Sequence, residues 1–118
     1  NVCFGTNNIR NAFTPFGKGD PLDIGFLLAQ TAYMGTEADA TLLLEMCTTR
    51  AAQALNLSYN PFQCHRAADF VLTSANTVSD LIYDRPADRI VWKNGIRTAE
   101  ISLNQFILKP EPMVRKIN

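Results

Sequence analysis

Val2-Cys3-Phe4-Gly5-Thr6-Asn7-Asn8, near the start of the chain, decides the fold class that the sequence predicts. Its apolar run stops at Gly5, a polar loop follows, and a helix begins at Asp20-Pro21, because Asp is a favoured N-cap and Pro fits the first helical position. This order is typical of a buried parallel strand that delivers a functional loop at its carboxyl end, as in (β/α)8 barrels. The sequence therefore predicts an α/β fold with its site in the loop that precedes the helix.

Three further blocks follow in order, namely Thr48-Thr49-Arg50-Ala51-Ala52 with Leu55 and Leu57, Ala67-Ala68-Asp69-Phe70-Val71-Leu72, and Val91-Trp92-Lys93-Asn94-Gly95. With the first segment, these blocks resemble the C-terminal third of the metal-dependent amidohydrolase superfamily, nearest to cytosine-deaminase-like members. The resemblance extends from residue 1 to about residue 100. It implies a C-terminal fragment of a (β/α)8 amidohydrolase barrel, made of the last strand plus helices, followed by part of a small β-sandwich.

The resemblance divides the chain into two parts. Residues 1–58 would hold the last strand, the active-site loop and two helices of the barrel, and residues 59–118 the β-sandwich strands and a tail. A complete barrel needs about 250 residues, whereas this chain has 118 and starts without Met. We therefore expect a piece of a larger parent, whose uncovered apolar face packs against the remainder of the parent chain or in a homo-oligomer.

Local patterns predict the elements of each part. We expect a first helix that Gly35 ends, and a capping box over Thr36-Glu37-Ala38-Asp39 that opens a second helix. Apolar positions at helical spacing continue this second helix to Asn56, which suits the left-handed closing position. In the second part we expect a strand at Phe70-Val71-Leu72, a helical turn over residues 77–84, and a hairpin whose turn is Asn94-Gly95.

The resemblance also implies the chemistry of the loop. The parent would hold a divalent metal, Zn or Fe, and would hydrolyse a non-peptide C–N bond, with deamination of a cyclic amidine or nucleobase-like ring as the expected reaction. Asn7 stands at the position of the family's catalytic, metal-binding Asp. Asn8 and Phe13 stand at positions that contact the ring substrate, although Phe13 fits equally well a role in packing the loop onto the barrel.

Asn7 departs from the family pattern in a way that matters chemically. A neutral amide binds a divalent cation more weakly than a carboxylate and cannot act as a general base. Three interpretations stay open: a catalytically silent homologue, a register off by one residue (although Asn8 is also an amide), or an enzyme that uses another base or an altered sequence. The alternative function is therefore a structural or regulatory piece with a vestigial site, and we expect the 118-residue chain alone to be inactive and to hold no metal.

Composition excludes several other classes of function. Lys plus Arg and Asp plus Glu number 11 each, so the net charge is zero and nothing favours nucleic acid. No apolar run approaches the roughly 20 residues that span a bilayer. The cysteine count is odd and the spacings are irregular, which favours reduced thiols in a cytoplasmic protein, with Cys3 buried in the strand. Adjacent Cys64-His65 lacks the ligand spacing of a zinc site.

Overall fold

The structure, a computed structural model, describes residues 1–57 and 63–104. Three helices come first, and a three-stranded antiparallel sheet in the order β1-β2-β3 follows, with a short π-helix between its first two strands. The elements are α1 (Pro21–Thr31), α2 (Glu37–Cys47), α3 (Thr49–Ala54), β1 (Phe70–Thr73), the π-helix (Asp80–Asp84), β2 (Arg89–Lys93) and β3 (Ile96–Ile101).

Side-chain caps fix the starts of the two long helices, as the sequence predicts. Asp20 caps α1, since its Oδ1 accepts a hydrogen bond from the backbone N–H of Leu22 at 3.0 Å. Thr36 and Asp39 form a reciprocal capping box at α2, in which each side chain accepts from the other's backbone N–H. The chain direction on entering each helix is therefore set locally.

The end of α1 differs from the prediction. The helix stops at Thr31, and Tyr33, rather than Gly35, adopts the left-handed conformation, with φ of 54°. The N–H of Met34 then reaches back to the carbonyl of Ala29 at 2.9 Å, the bond that closes a Schellman motif. Glycine usually fills this position because it has no Cβ, which is why Gly35 was predicted to end the helix.

The second predicted helix is two helices. Thr48 leaves the helical conformation, with φ of −123° and ψ of −94°, and separates α2 from α3. Its hydroxyl donates to the carbonyl of Leu44 at 2.7 Å, a local bond by which threonine competes with the backbone ladder. The left-handed Asn56 that closes the helical region is confirmed, with φ of 54°.

The sheet forms where the sequence predicts strands. β2 is the central strand, and Asn94 and Gly95, with φ of 51° and 75°, make its turn into β3, as a two-residue hairpin of type I′ requires. Phe70 and Trp92 lie opposite each other across β1 and β2, and their rings stack with centroids 5.8 Å apart. The predicted strand at Phe70-Val71-Leu72 and the hairpin are both confirmed.

The described core joins the helices to the π-helix. Its buried members are Leu22, Ala29, Ala40, Leu43 and Ile82. A second Thr-x-x-Asp box, formed by Thr77 and Asp80, opens the predicted helical turn. Ile82 thereby enters the core between α1 and α2.

Residues 1–8 pair with no strand within residues 1–57 and 63–104. Their exposure nevertheless alternates, because Phe4, Thr6 and Asn8 are half-buried whereas Cys3, Gly5 and Asn7 are exposed. A period of two is that of an extended segment with one covered face. Cys3 is therefore on the open face, and the prediction that it is buried is wrong for the described residues.

The wider architecture stays a prediction. Three helices and one antiparallel sheet are compatible with the end of a barrel followed by sandwich strands, but a barrel needs a ring of parallel strands that residues 1–57 and 63–104 do not form. The predicted boundary between residues 58 and 59 and the tail of residues 105–118 lie outside the described residues.

We expect Leu43→Ala to lower the free energy of unfolding by about 2–5 kcal/mol, because Leu43 is fully buried and the substitution leaves a cavity. Leu27→Ala is the matched control, since Leu27 lies in α1 with 53% of its surface exposed, and it should cost about 0.5 kcal/mol. Urea unfolding of both variants measures the difference. Equal midpoints would contradict the assignment of the core.

Acid stability should depend on Asp39. The backbone N–H and the hydroxyl of Thr36 both donate to its carboxylate, and together they hold the pKa of Asp39 below its usual value. A lowered folded-state pKa contributes stability that is complete above the unfolded value of about 3.9 and is lost as pH falls through the folded value. Asp39→Asn should therefore reduce the loss of stability below about pH 4; unfolding midpoints between pH 2 and pH 7 test this, and an unchanged acid limb would contradict it.

Candidate functional site

The loop of residues 6–19 contains a turn that the side chain of Asn11 stabilises. The Oδ1 of Asn11 accepts from the backbone N–H groups of Phe13 and Thr14 at 3.0 and 2.9 Å, an Asx-turn. One step outward, the N–H of Arg10 donates to the carbonyl of Phe16 at 3.3 Å. The loop is thus closed at its base by backbone hydrogen bonds, which gives it a defined shape.

Two glycines return the loop to α1. Gly17 and Gly19 have φ of 100° and 76°, values that side chains disfavour. A Cβ at Gly19 would also lie only 2.8 Å from Cδ1 of Ile9, on the opposite limb of the loop. The tip of the Ile9 side chain can shift, so it is the positive φ of Gly19 that favours glycine here. The turn brings the chain to Asp20 in the right position to cap the helix.

A small pocket of about 100 Å³ lies between this loop and the first turn of α1. Its wall consists of Thr6, Asn8, Thr14, Phe16, Gly17, Lys18, Gly19, Asp20, Asp23 and Ile24. Such a volume holds about three water molecules at roughly 30 Å³ each, and it is smaller than the roughly 150 Å³ cavity that accepts benzene. The pocket is accordingly too small for a whole ring and admits only a small substituent or ordered water.

The three predicted site residues are placed differently. Asn8 is half-buried and lines the pocket. Asn7, with φ of 54°, is exposed and does not belong to the wall. Phe13 is 90% exposed at the loop tip. Of the three, the described residues therefore bring only Asn8 into the wall of the pocket, and packing of Phe13 is not seen within this part of the chain.

Two acidic residues of the pocket were not predicted as site residues. Asp20 pairs with Arg89 at 2.5 Å, and Asp23 pairs with Arg85 at 2.8 Å. The Arg85 guanidinium also lies 4.0 Å from the centroid of the Phe26 ring. With both carboxylates neutralised by arginine, Lys18 adds positive charge to the wall. Acidic residues in a first helical turn are a visible sequence feature, but their partners 62 and 69 residues away are not.

Neither a reactive Cys47 thiol nor a metal-binding cluster is found in the part of the chain that the structure describes. Burial, reinforced by the charge of Asp20, raises the pKa of the Cys47 thiol, so Cys47 is a neutral side chain rather than a nucleophile. Residues 1–57 and 63–104 contain no cluster of three or more His, Cys, Asp or Glu side chains able to hold a metal ion. Asn7 alone offers one neutral oxygen, and these residues therefore do not fit a metal site by themselves.

Comparison with known proteins gives one relative of stated activity. The chain is 28% identical over 96 residues to N-isopropylammelide isopropyl amidohydrolase from Pseudomonas sp. (strain ADP). The match covers 80% of this chain and 24% of that protein, so the chain spans about a quarter of the relative's length. No protein-family model matches the chain, and no solved structure matches it significantly. No helix in residues 1–57 and 63–104 is both long and apolar enough to cross a bilayer.

Proposed function

We propose that this chain is part of an amidohydrolase that cleaves a C–N bond in a small ring compound. The observation that carries the proposal is the similarity to an amidohydrolase over 96 residues, 80% of this chain. The relative's name states that it acts on N-isopropylammelide. Deamination of a cyclic amidine or nucleobase-like ring is the finer form of the proposal, and it rests on the resemblance of the loop.

The pocket favours different roles for Asn8 and Phe13 in binding the substrate. Asn8 would hydrogen-bond a polar substituent of the substrate, because its amide offers both a donor and an acceptor. Its side chain belongs to the wall of the pocket, whose volume is about 100 Å³. The ring itself would remain outside the pocket, next to Phe13, whose exposed face is available for stacking. The contact with Asn8 needs an amide-like edge and the contact with Phe13 needs a planar ring face. The proposed substrate class has both.

A metal ion is proposed only for the full-length protein of which this chain is a part. A divalent ion, Zn or Fe, would activate water for hydrolysis, and its ligands would come chiefly from residues other than those described. Asn7 would stand near it at the position where the family has Asp. The remainder of the parent chain, or a homo-oligomer, would cover exposed apolar side chains such as Phe16 and Val2, which are 72% and 63% exposed.

A second candidate is a noncatalytic, structural or regulatory role with a vestigial site. The specific observation in its favour is that Asn7 is an exposed amide, which can neither accept a proton as a general base nor supply ligand charge. On this proposal Asn8 and its pocket still bind a ligand, but nothing is hydrolysed. The two candidates differ in turnover and in metal content, and one substitution separates them.

Asn7→Asp in the full-length protein should raise bound metal and turnover together, because a carboxylate supplies both ligand charge and a base; general-base catalysis contributes about 10²–10⁴-fold. Metal content by elemental analysis, and hydrolysis of N-isopropylammelide, cytosine and adenine, measure the effect. Asn11→Asp is the matched control, since it makes the same change in the same loop while keeping an acceptor for Phe13 and Thr14. If Asn7→Asp and Asn11→Asp behave alike, the position of Asn7 has no special role.

Phe13→Ala should raise KM for the ring substrate, because it removes a stacking surface worth roughly 0.5–1.5 kcal/mol, or about 2- to 12-fold. Thermal stability should not change, since Phe13 is 90% exposed. Tyr33→Ala is the control, as Tyr33 is 95% exposed and follows the other end of α1. An unchanged KM combined with a lowered melting temperature would instead assign Phe13 to packing against another part of the protein.

A further inference from the structure

Arg89 is held at two points by bonds that run in different directions. Its Nη1 donates to Oδ2 of Asp20 at 2.5 Å, and its Nε donates to the carbonyl of Pro86 at 3.0 Å. Only 17% of the Arg89 side chain and 22% of the Asp20 side chain are exposed. Arg89 also belongs to the central strand, where it is paired with Thr73 of β1 and Ile101 of β3. The guanidinium is therefore a fixed cation on the most constrained strand of the sheet.

Asp20 uses its two carboxylate oxygens for different purposes. Oδ1 caps α1 by accepting from the N–H of Leu22, and Oδ2 receives Arg89. Asp20 also lines the pocket beside Asn8 and directly follows Gly19, the residue on which the loop closes. Any movement of Asp20 is therefore transmitted both to the helix start and to the C-terminal end of the loop.

A second pair repeats the connection one helical turn later. Arg85, which follows the π-helix in a left-handed conformation with φ of 49°, donates to Asp23 at 2.8 Å. Asp23 likewise lines the pocket. This pair is more exposed, with 34% and 39% of the two side chains accessible, so water screens it more than it screens the pair of Arg89.

We propose that Arg89 is a positioning residue, which acts through Asp20 to hold the loop of residues 6–19 in its ligand-binding shape. The effect of Arg89 on substrate binding rests on the proposed function, in which Asn8 contacts the substrate. The effect of Arg89 on the order of the loop does not rest on it. Arg89 is not part of the pocket wall, but it hydrogen-bonds Asp20, which is. The second part of the chain thereby supplies a cation that fixes the wall to which Asn8 belongs.

The proposal predicts a particular kinetic signature. If Arg89 is lost, the loop samples other shapes and only a fraction of molecules is competent to bind. Apparent affinity falls by that fraction, whereas a molecule that has bound still has the correct geometry. A tenfold fall in the competent fraction therefore raises KM about tenfold and leaves kcat nearly unchanged. General destabilisation gives the opposite pattern, a lower apparent kcat at constant KM, because it removes active molecules.

The experiment compares Arg89→Met, Asp20→Ser and the double variant of the full-length protein by amide hydrogen exchange. Asp20→Ser keeps a capping acceptor for α1 but removes the partner of Arg89. The reporters are the amides that close the loop, on Arg10, Asn11, Phe13 and Thr14. Each single variant should accelerate their exchange about tenfold and leave α2 unchanged, and the double variant should add little, because the two side chains act as one pair.

Two further variants complete the design. Arg97→Met is the matched control, since Arg97 pairs with Glu100 on the exposed β3 strand and should not affect the loop. Arg89→Lys keeps a cation for Asp20 but lacks the Nε bond to Pro86, so it should restore part of the protection. If Arg89→Met fails to fold, Asp20→Ser tests the same contact from the other side.

The outcomes separate the two proposals. Unchanged loop exchange in both single variants, or acceleration spread equally over α2, would overturn the positioning role whatever the activity. Faster loop exchange with a raised KM for N-isopropylammelide or cytosine supports both proposals. The variants can also show faster loop exchange while the unsubstituted full-length protein hydrolyses neither N-isopropylammelide nor cytosine. That result supports the positioning role and counts against the proposed function.

Discussion

The ion pair between Asp20 and Arg89 connects the two parts of this chain at the point where the candidate site is built. One carboxylate completes the first turn of α1 and at the same time receives a cation from the central strand of the sheet. Exposed pairs such as Arg97 with Glu100 contribute about 0–1 kcal/mol, but a pair this shielded from water must keep both partners, because either charge left alone would be poorly solvated. The relative position of helix and sheet is thereby specified by charge as well as by the small apolar core.

This constraint explains why the loop can be defined although most of its side chains face solvent. The described core has five buried side chains, none of them in the loop. Order in the loop comes instead from the turn at Asn11, from the closing bond between Arg10 and Phe16, and from the left-handed backbone of Gly19. Those local bonds close the loop, and under the proposed positioning role the pair of Asp20 and Arg89 holds the loop in the shape in which they form.

Elements set by neighbouring residues were predictable from the sequence, and elements set by distant ones were not. The Asp20 cap, the box at Thr36 and the Asn94-Gly95 turn each satisfy backbone groups within a few residues, so the pattern alone identifies them. The end of α1 was mispredicted because Met34 bonds back to Ala29 and packs against the core, which leaves Tyr33 rather than Gly35 in the left-handed conformation. The break at Thr48 was missed because its side-chain bond to Leu44 interrupts a continuous apolar stripe. The arginine partners of the pocket acids have no local pattern, and only the folded chain brings them together.

The alternating exposure of residues 1–8 bears on what the site can do. Asn8 lies on the face that α1 covers and lines the pocket, whereas Asn7 lies on the uncovered face. Under the proposed function, neighbouring residues would therefore serve two environments: Asn8 would recognise a substituent inside this chain's own pocket, and Asn7 would meet groups supplied by another part of the protein. Substrate recognition would then depend on the Arg89 connection, while hydrolysis would depend on what faces Asn7. A protein that keeps the connection through Arg89 but carries an amide at position 7 would therefore bind its ligand better than it hydrolyses it.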